Sequence, residues 1–323
     1  MQPSINYNNI IDGDEARAAQ AAADAAPAMP ADRIDQTKFY ITQQYHRYTR
    51  ENHEVWRDLY DRRWTVLEEQ VSRTFLDGIA VLKMSRDRIP LLCDQVLADD
   101  CEIAGGEVLK KGTKLQGINR YLGEVSDWAS YGVPGYLPAK SFFACLAARQ
   151  FPTTVLIRPR EVMDYLPEPD IFHDVFGHVP LHASRVFADF LQTYGRAALR
   201  CEDPVHIERL GRLFWFTVEF GLIREEGRVK VYGSGLVSSH GEARYSLEGQ
   251  WEKKGAITPD CTVRPVAEWR PFDLERVCNT NFEIDHFQPI YYVLESFEQL
   301  RDAMNQYAEK VIGKAGMAAA TAG

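Results

Sequence analysis

Apolar residues recur every three or four positions along two stretches of the chain. Trp56, Tyr60, Trp64, Leu67, Val71 and Phe75 predict one long helix with a single buried stripe. Phe297, Leu300, Met304, Tyr307 and Val311 repeat that spacing further on and predict a second. Ser184 stands where a cap would begin a helix carrying Val186, Phe187, Phe190 and Leu191. Residues 213–223 are apolar on nearly every side, so a helix there is expected to be buried all round. Strand-like runs are short and few, at 153–158, 228–232 and 262–266. Gly105-Gly106 and Lys111-Gly112 punctuate a hairpin-like excursion over 98–118. The pattern predicts a mainly α fold with a few short β-strands.

Composition changes this picture at the ends. Residues 1–35 include the alanine run around 18–26, carry few large apolar groups, and are expected to form a disordered tail. A second flexible tail is expected at 313–323. No Gly-, Ser- or Pro-rich linker divides the interval, so one domain over 36–312 is the economical organisation of these 323 residues. A net charge of −9 argues against nucleic acid or an anionic membrane surface as partner. No run approaches the ~20 apolar residues of a bilayer span, and the N-terminus lacks a signal pattern. Six scattered cysteines without a Cys-x-x-Cys pair suit reduced thiols in the cytoplasm.

The candidate chemistry lies between 167 and 219. His173 and His178 are five residues apart, which rotates about 140° around a straight α-helix, so their rings would not share a face. One of them is therefore expected at or just before a helix start, with Asp170 or Asp174 as its cap. Glu219 lies inside the apolar run, and an ionised carboxylate there is costly unless a cation or hydrogen bonds compensate. Two histidines and one carboxylate would bind a divalent metal and leave coordination positions open. This donor set leaves iron and zinc both admissible. A rival reading takes the adjacent His173-Asp174 pair as part of a metal-dependent phosphohydrolase. It requires a further histidine, and His46 and His53 are available, although His53 is expected on the solvent side of the first helix.

Four longer blocks carry a resemblance: 165–181, containing both histidines; Trp215-Phe-Thr-Val-Glu-Phe-Gly-Leu222; Tyr232-Gly-Ser-Gly-Leu-Val-Ser-Ser239; and Phe287-Gln-Pro-Ile-Tyr-Tyr292. In these blocks the sequence resembles the pterin-dependent aromatic amino acid hydroxylases, and within them the bacterial phenylalanine 4-hydroxylases. The resemblance implies a single catalytic domain around a non-heme iron, with a tetrahydropterin and O2 as further reactants. It implies His173, His178 and Glu219 as iron ligands. Arg158 would grip the substrate carboxylate with Asp170 orienting it, and Trp215 and Ser238 would line the amino-acid pocket. Residues 133–142 resemble the pterin loop, with Gly135 and Leu137 along the ring and Phe142 stacked on it. Asp174 matches an acidic position contacting pterin or metal-bound water, and Glu168 matches a catalytic wall between metal and substrate. Phe214 stands where a tyrosine is usual beside the cofactor, and Ala139 replaces a polar pterin-loop residue.

By the same resemblance the substrate is a small aromatic amino acid. Trp215 and Ile284 favour L-phenylalanine hydroxylated to L-tyrosine, as in phenylalanine catabolism. Tryptophan hydroxylation, or a different ring position on phenylalanine, is the alternative. A monomer or weak dimer is expected.

Overall fold

The first apolar stripe folds as two helices rather than one. Thr49 and Asn52 form a reciprocal capping box at the start of Arg50–Gln70. That helix stops at an extended Val71, and Ser72 caps the next, Arg73–Leu82. The break has a partner: the Ser72 N–H donates to the Val231 carbonyl at 2.9 Å, and Val71 bridges to Val231, so a sheet edge enters at the joint. Within the first helix the buried positions include Trp56, Tyr60, Arg63 and Leu67, whereas Trp64 is 49% exposed and stacks on Tyr60. The period was right and the choice of residue was not, because a guanidinium occupies the buried register.

The computed structural model describes residues 10, 13–26, 33–163, 169–252, 266–282, 284 and 286–318. Phe297–Ala318 carries the second stripe, with Phe297, Leu300, Met304 and Tyr307 buried. Gly313, with φ of 71°, interrupts it where a tail was expected to begin, yet helical turns continue to Ala318. Ser184 precedes Arg185–Arg200 without a side-chain cap bond. Within the expected N-terminal tail, Gly13–Ala25 forms a helix. Alanine is the best helix former, and its small side chain permits close docking. Ala22, Ala23 and Ala26 pack with Phe39, Val133 and Leu137, and the Glu15 carboxylate accepts from Thr42 N–H and Oγ1, both at 2.9 Å.

Two sheets matter for the site. Ala129–Val133 pairs in parallel with Gln150–Thr154, and Ala139–Ala147 is the crossover helix between them. The loop 134–138 thus leaves the carboxyl end of a parallel strand, where ligands of such units bind. The expected strand at 153–158 ends its sheet pairing at Thr154, since its partner strand stops at Val133. Beyond it the backbone serves the metal segment: the Ile171 N–H donates to the Leu156 carbonyl at 2.7 Å. The larger sheet runs Arg228–Val231, Leu222–Glu225, Ile290–Leu294, Glu268–Pro271, Gln250–Trp251, and only its first pair is antiparallel. Ile290–Leu294 is buried along its whole length. The expected strand at 262–266 falls almost wholly outside the described residues.

The excursion at 98–118 is a nested pair of antiparallel ladders, Gln95–Val96 with Lys114–Leu115 and Cys101–Glu102 with Val108–Leu109. Gly105 and Gly106 make its turn at φ of 86° and 85°, a region that L side chains rarely adopt. It buttresses the first helix through Glu102, which accepts from Arg50 at 3.1 Å, and Cys101, whose Sγ lies 3.6 Å from His53 Nε2.

His53 is therefore buried, not on the solvent side, and its Nδ1 accepts the Ile89 N–H at 3.0 Å. Burial, helped by the charge of Arg88, pushes its pKa down to about 4 from 6.5. The folded protein keeps this ring neutral, while the unfolded chain protonates it below about 6.5. Its contribution is complete above pH 6.5 and is lost as pH falls toward 4. His182, buried against Trp128, is shifted in the same direction. Unfolding by urea should show stability falling from pH 6.5 to 4, by on the order of 3 kcal/mol from His53 alone. His53→Gln should flatten that slope; an unchanged slope rules the assignment out.

Candidate metal centre

The five-residue spacing of the histidines is resolved by a π-helix. Phe172–His178 is wound with i→i+5 hydrogen bonds, so residues five apart stand one turn apart and on one side. The expected helix start is present in part: Asp170 Oδ1 accepts the His173 N–H at 3.0 Å. The opposite side of the turn is pinned by aromatic packing. Phe172 stacks on Phe176 at 4.7 Å, and Trp56 meets both edge-on. Directly after it, helix Val179–His182 lies backbone to backbone against Arg73–Leu82, where a Cβ on Gly78 would fall 2.0 Å from the Pro180 oxygen. Trp215–Glu219 is a second π-helix, following Pro204–Phe214.

Together the two wide turns gather the three predicted ligands. Nε2 of His178 lies 3.2 Å from Nε2 of His173 and 3.3 Å from Glu219 Oε1, while His173 Nε2 is 3.6 Å from Glu219 Oε2. One ligand atom from each of the three falls within 4.8 Å of the others, the one such cluster among the described residues. Burial holds the His173 imidazole down at about 4, against the pull of Glu219, so its nitrogen is free of a proton at neutral pH. Burial alone would raise Glu219, but His178 and a hydrogen bond from Ser234 outweigh it and leave the carboxyl at about 2. A half-buried carboxylate facing two imidazole nitrogens is a site for a divalent cation.

The surrounding shell is supplied mainly by the short helix Ser234–Ser238. Ser238 Oγ donates to the Ser234 carbonyl at 2.7 Å, so the Nδ1–H of His173, at 3.0 Å, donates to Ser238. This fixes the tautomer that leaves Nε2 free to face His178 and Glu219. Ser238, expected in the substrate pocket, is thus placed behind a ligand. Asp174 is buried, and its Oδ2 accepts the Thr154 N–H at 2.7 Å. Burial drives its carboxyl up to about 7, beyond what His178 and Thr154 recover.

Arg158 and Asp170 form a bidentate pair, Nε to Oδ2 at 2.8 Å and Nη2 to Oδ1 at 2.9 Å. The Arg158 N–H adds a third bond to Oδ2 at 2.9 Å, and Nη1 donates to the Met163 carbonyl. Burial would lift the Asp170 carboxyl, but the guanidinium holds it below the usual range. Trp215 is held by its indole N–H to Gln288 Oε1 at 3.0 Å and stacks on Phe282 at 4.4 Å. Phe142 meets Phe214 at 5.7 Å and Phe151 at 6.4 Å, and Phe151 packs on His178 at 4.8 Å, so Phe142 is one ring away from His178. Leu137 packs toward Phe39 and Val133, and Gly135 has open space where a side chain would be. Glu168 lies outside the described residues.

Three contributors escaped the sequence reading. Gln288 and Ser234 lie inside blocks already singled out, where polarity amid apolar neighbours was the available signal. Arg63 gave a sharper one, a cation in the buried register of the first helix. Its Nε donates to the Val237 carbonyl at 2.6 Å and so ties the serine helix to the first helix.

The sequence profile for biopterin-dependent aromatic amino acid hydroxylases matches residues 38–317. The chain belongs to that family. It is 37% identical over 265 residues to the phenylalanine-4-hydroxylase of Ralstonia nicotianae, covering 82% of this chain and 72% of that protein. Against the Chromobacterium violaceum phenylalanine-4-hydroxylase it is 35% identical over 269 residues, covering 83% and 78%. The crystal structure of the latter enzyme with iron(III) and 7,8-dihydrobiopterin superposes with a TM-score of 0.69 at 32% identity, covering 92% of each chain. This hydroxylase therefore has the expected mainly α catalytic fold with short strands, in a family whose reaction uses biopterin and, in that relative, iron. Phosphohydrolase chemistry is set aside, and His53 is turned to Ile89 and Cys101 rather than to His173. Among the described residues no helix is long and apolar enough to cross a membrane.

Proposed function

We propose that His173, His178 and Glu219 hold one iron(II), and that this hydroxylase converts L-phenylalanine to L-tyrosine with a tetrahydropterin and O2. The convergence of the three ligand atoms on two π-helices carries this reading. When bound, iron(II) and the tetrahydropterin supply the electrons that activate dioxygen for ring hydroxylation.

The remaining roles belong to the chain's own groups. Arg158, oriented by Asp170, receives the substrate carboxylate, since a guanidinium fixes direction as well as position. Trp215, immobilised by Gln288 and Phe282, forms a flat wall for the substrate ring. Phe142, Phe151 and Phe214 exclude water on the pterin side, with Phe142 as the stacking partner and Gly135 and Leu137 along the loop. Asp174 holds a proton near neutral pH while Oδ2 keeps the Thr154 N–H. Glu168 is assigned to the wall between metal and substrate from the sequence alone. The catalytic unit is taken as 36–312, in a cytoplasmic monomer or weak dimer. The five described cysteines are free thiols, which agrees with a reducing compartment.

Aerobic turnover with iron(II) and a tetrahydropterin, offering phenylalanine, tyrosine and tryptophan separately, tests the reading. Tyrosine formed from phenylalanine, located by mass spectrometry, is the expected product. A product from tryptophan in preference redirects the substrate, and no product from any of the three overturns the function.

A further inference from the structure

We propose that Ser234 is a positioning residue that commits Glu219 to the metal through one carboxylate oxygen. The inference rests on the placing of the metal at His173, His178 and Glu219. Ser234 Oγ lies 2.8 Å from Glu219 Oε2 and 3.2 Å from the Val218 carbonyl. A hydroxyl has one proton, and an ionised carboxylate attracts it more strongly than a peptide oxygen does. Ser234 is 1% exposed, so water does not compete for that bond. Each carboxylate oxygen faces one imidazole, and Oε1, at 3.3 Å from His178 Nε2, is the nearer and carries no hydroxyl, whereas Oε2 stands 3.6 Å from His173 Nε2.

The serine is held from several sides. A Cβ on Gly233 would lie 2.4 Å from the Glu219 carbonyl oxygen, and one on Gly177 would lie 3.1 Å from the Ser234 carbonyl oxygen. That same carbonyl accepts the Ser238 hydroxyl, and the next turn is tied to Arg63 through Val237. The hydroxyl is therefore fixed relative to both ligand-bearing π-helices. An oxygen that already accepts a charge-assisted hydrogen bond is a weaker donor to a metal, so Oε1 is the ligand. Single-oxygen binding leaves open a coordination position that Oε2 would otherwise fill.

Full-length wild type, S234A and His178→Ala are loaded with iron(II) without oxygen, substrate or pterin, and bound metal is counted. Infrared difference spectra, metal-loaded minus metal-free, then read the separation of the two carboxylate stretches, which is wide for one-oxygen and narrow for two-oxygen binding. The expected result is a wide separation in wild type and a narrow one in S234A, with one iron in each. Equal separations in the two proteins, or loss of iron from S234A, overturn the role of Ser234 alone. A full equivalent of iron in His178→Ala overturns the metal site, and this inference with it.

Discussion

A Glu219→Ala variant is expected to lose bound iron and ring hydroxylation together, while its metal-free form remains folded. The carboxylate is the one acid among the three clustered groups, with one oxygen 3.3 Å from His178 and the other 3.6 Å from His173. Without it only two imidazoles face a divalent cation, and the hydroxyl of Ser234 loses its charged acceptor. Losing an outer-shell partner commonly costs 10–100-fold in affinity, so removing a ligand itself should exceed about 100-fold. The metal-free protein should respond differently, because removing the carboxylate also removes the cost of holding an anion away from water. Iron per chain after dialysis, tyrosine formation and the urea midpoint, measured on one preparation, separate these effects. One equivalent of iron retained with activity would refute the ligand assignment.

The second large effect is expected at Asp170, and there stability is the first casualty. Its two oxygens accept from Arg158 N, Nε and Nη2 and from His173 N. Asp170→Ala strands a guanidinium that is 8% exposed and frees the N–H that begins the metal helix. Breaking a buried pair from one side typically costs about 3–5 kcal/mol. Asp170→Asn should lie between, since an amide oxygen still accepts one of these bonds. Phenylalanine affinity should fall alongside, because Arg158 is no longer aimed. A urea midpoint for Asp170→Ala within about 1 kcal/mol of wild type would contradict this account.

The sequence made the cluster legible through cost: Glu219 in an apolar run called for a cation or hydrogen bonds to compensate it. It made the main helices legible through period, with Phe297 to Tyr307 placed correctly. It failed where tertiary contacts override period. Val71 breaks a continuous stripe because the Val231 edge occupies that joint, and Arg63 rather than Trp64 takes the buried register. Neither of these depends on local composition, which is why the sequence did not carry them.

The π-turn at Phe172–His178 also acts as a phase shift. Upstream, the segment must present Phe172 and Phe176 to Trp56; downstream, it must present Pro180 to the bare backbone at Gly78. A regular α-helix has one fixed phase, so satisfying both contacts would leave the direction of His178 without choice. The wider turn spends one residue to change phase between the two contacts. Ligand direction and core packing are thereby set independently, and the residues packed around the histidines can vary without turning them away from Glu219.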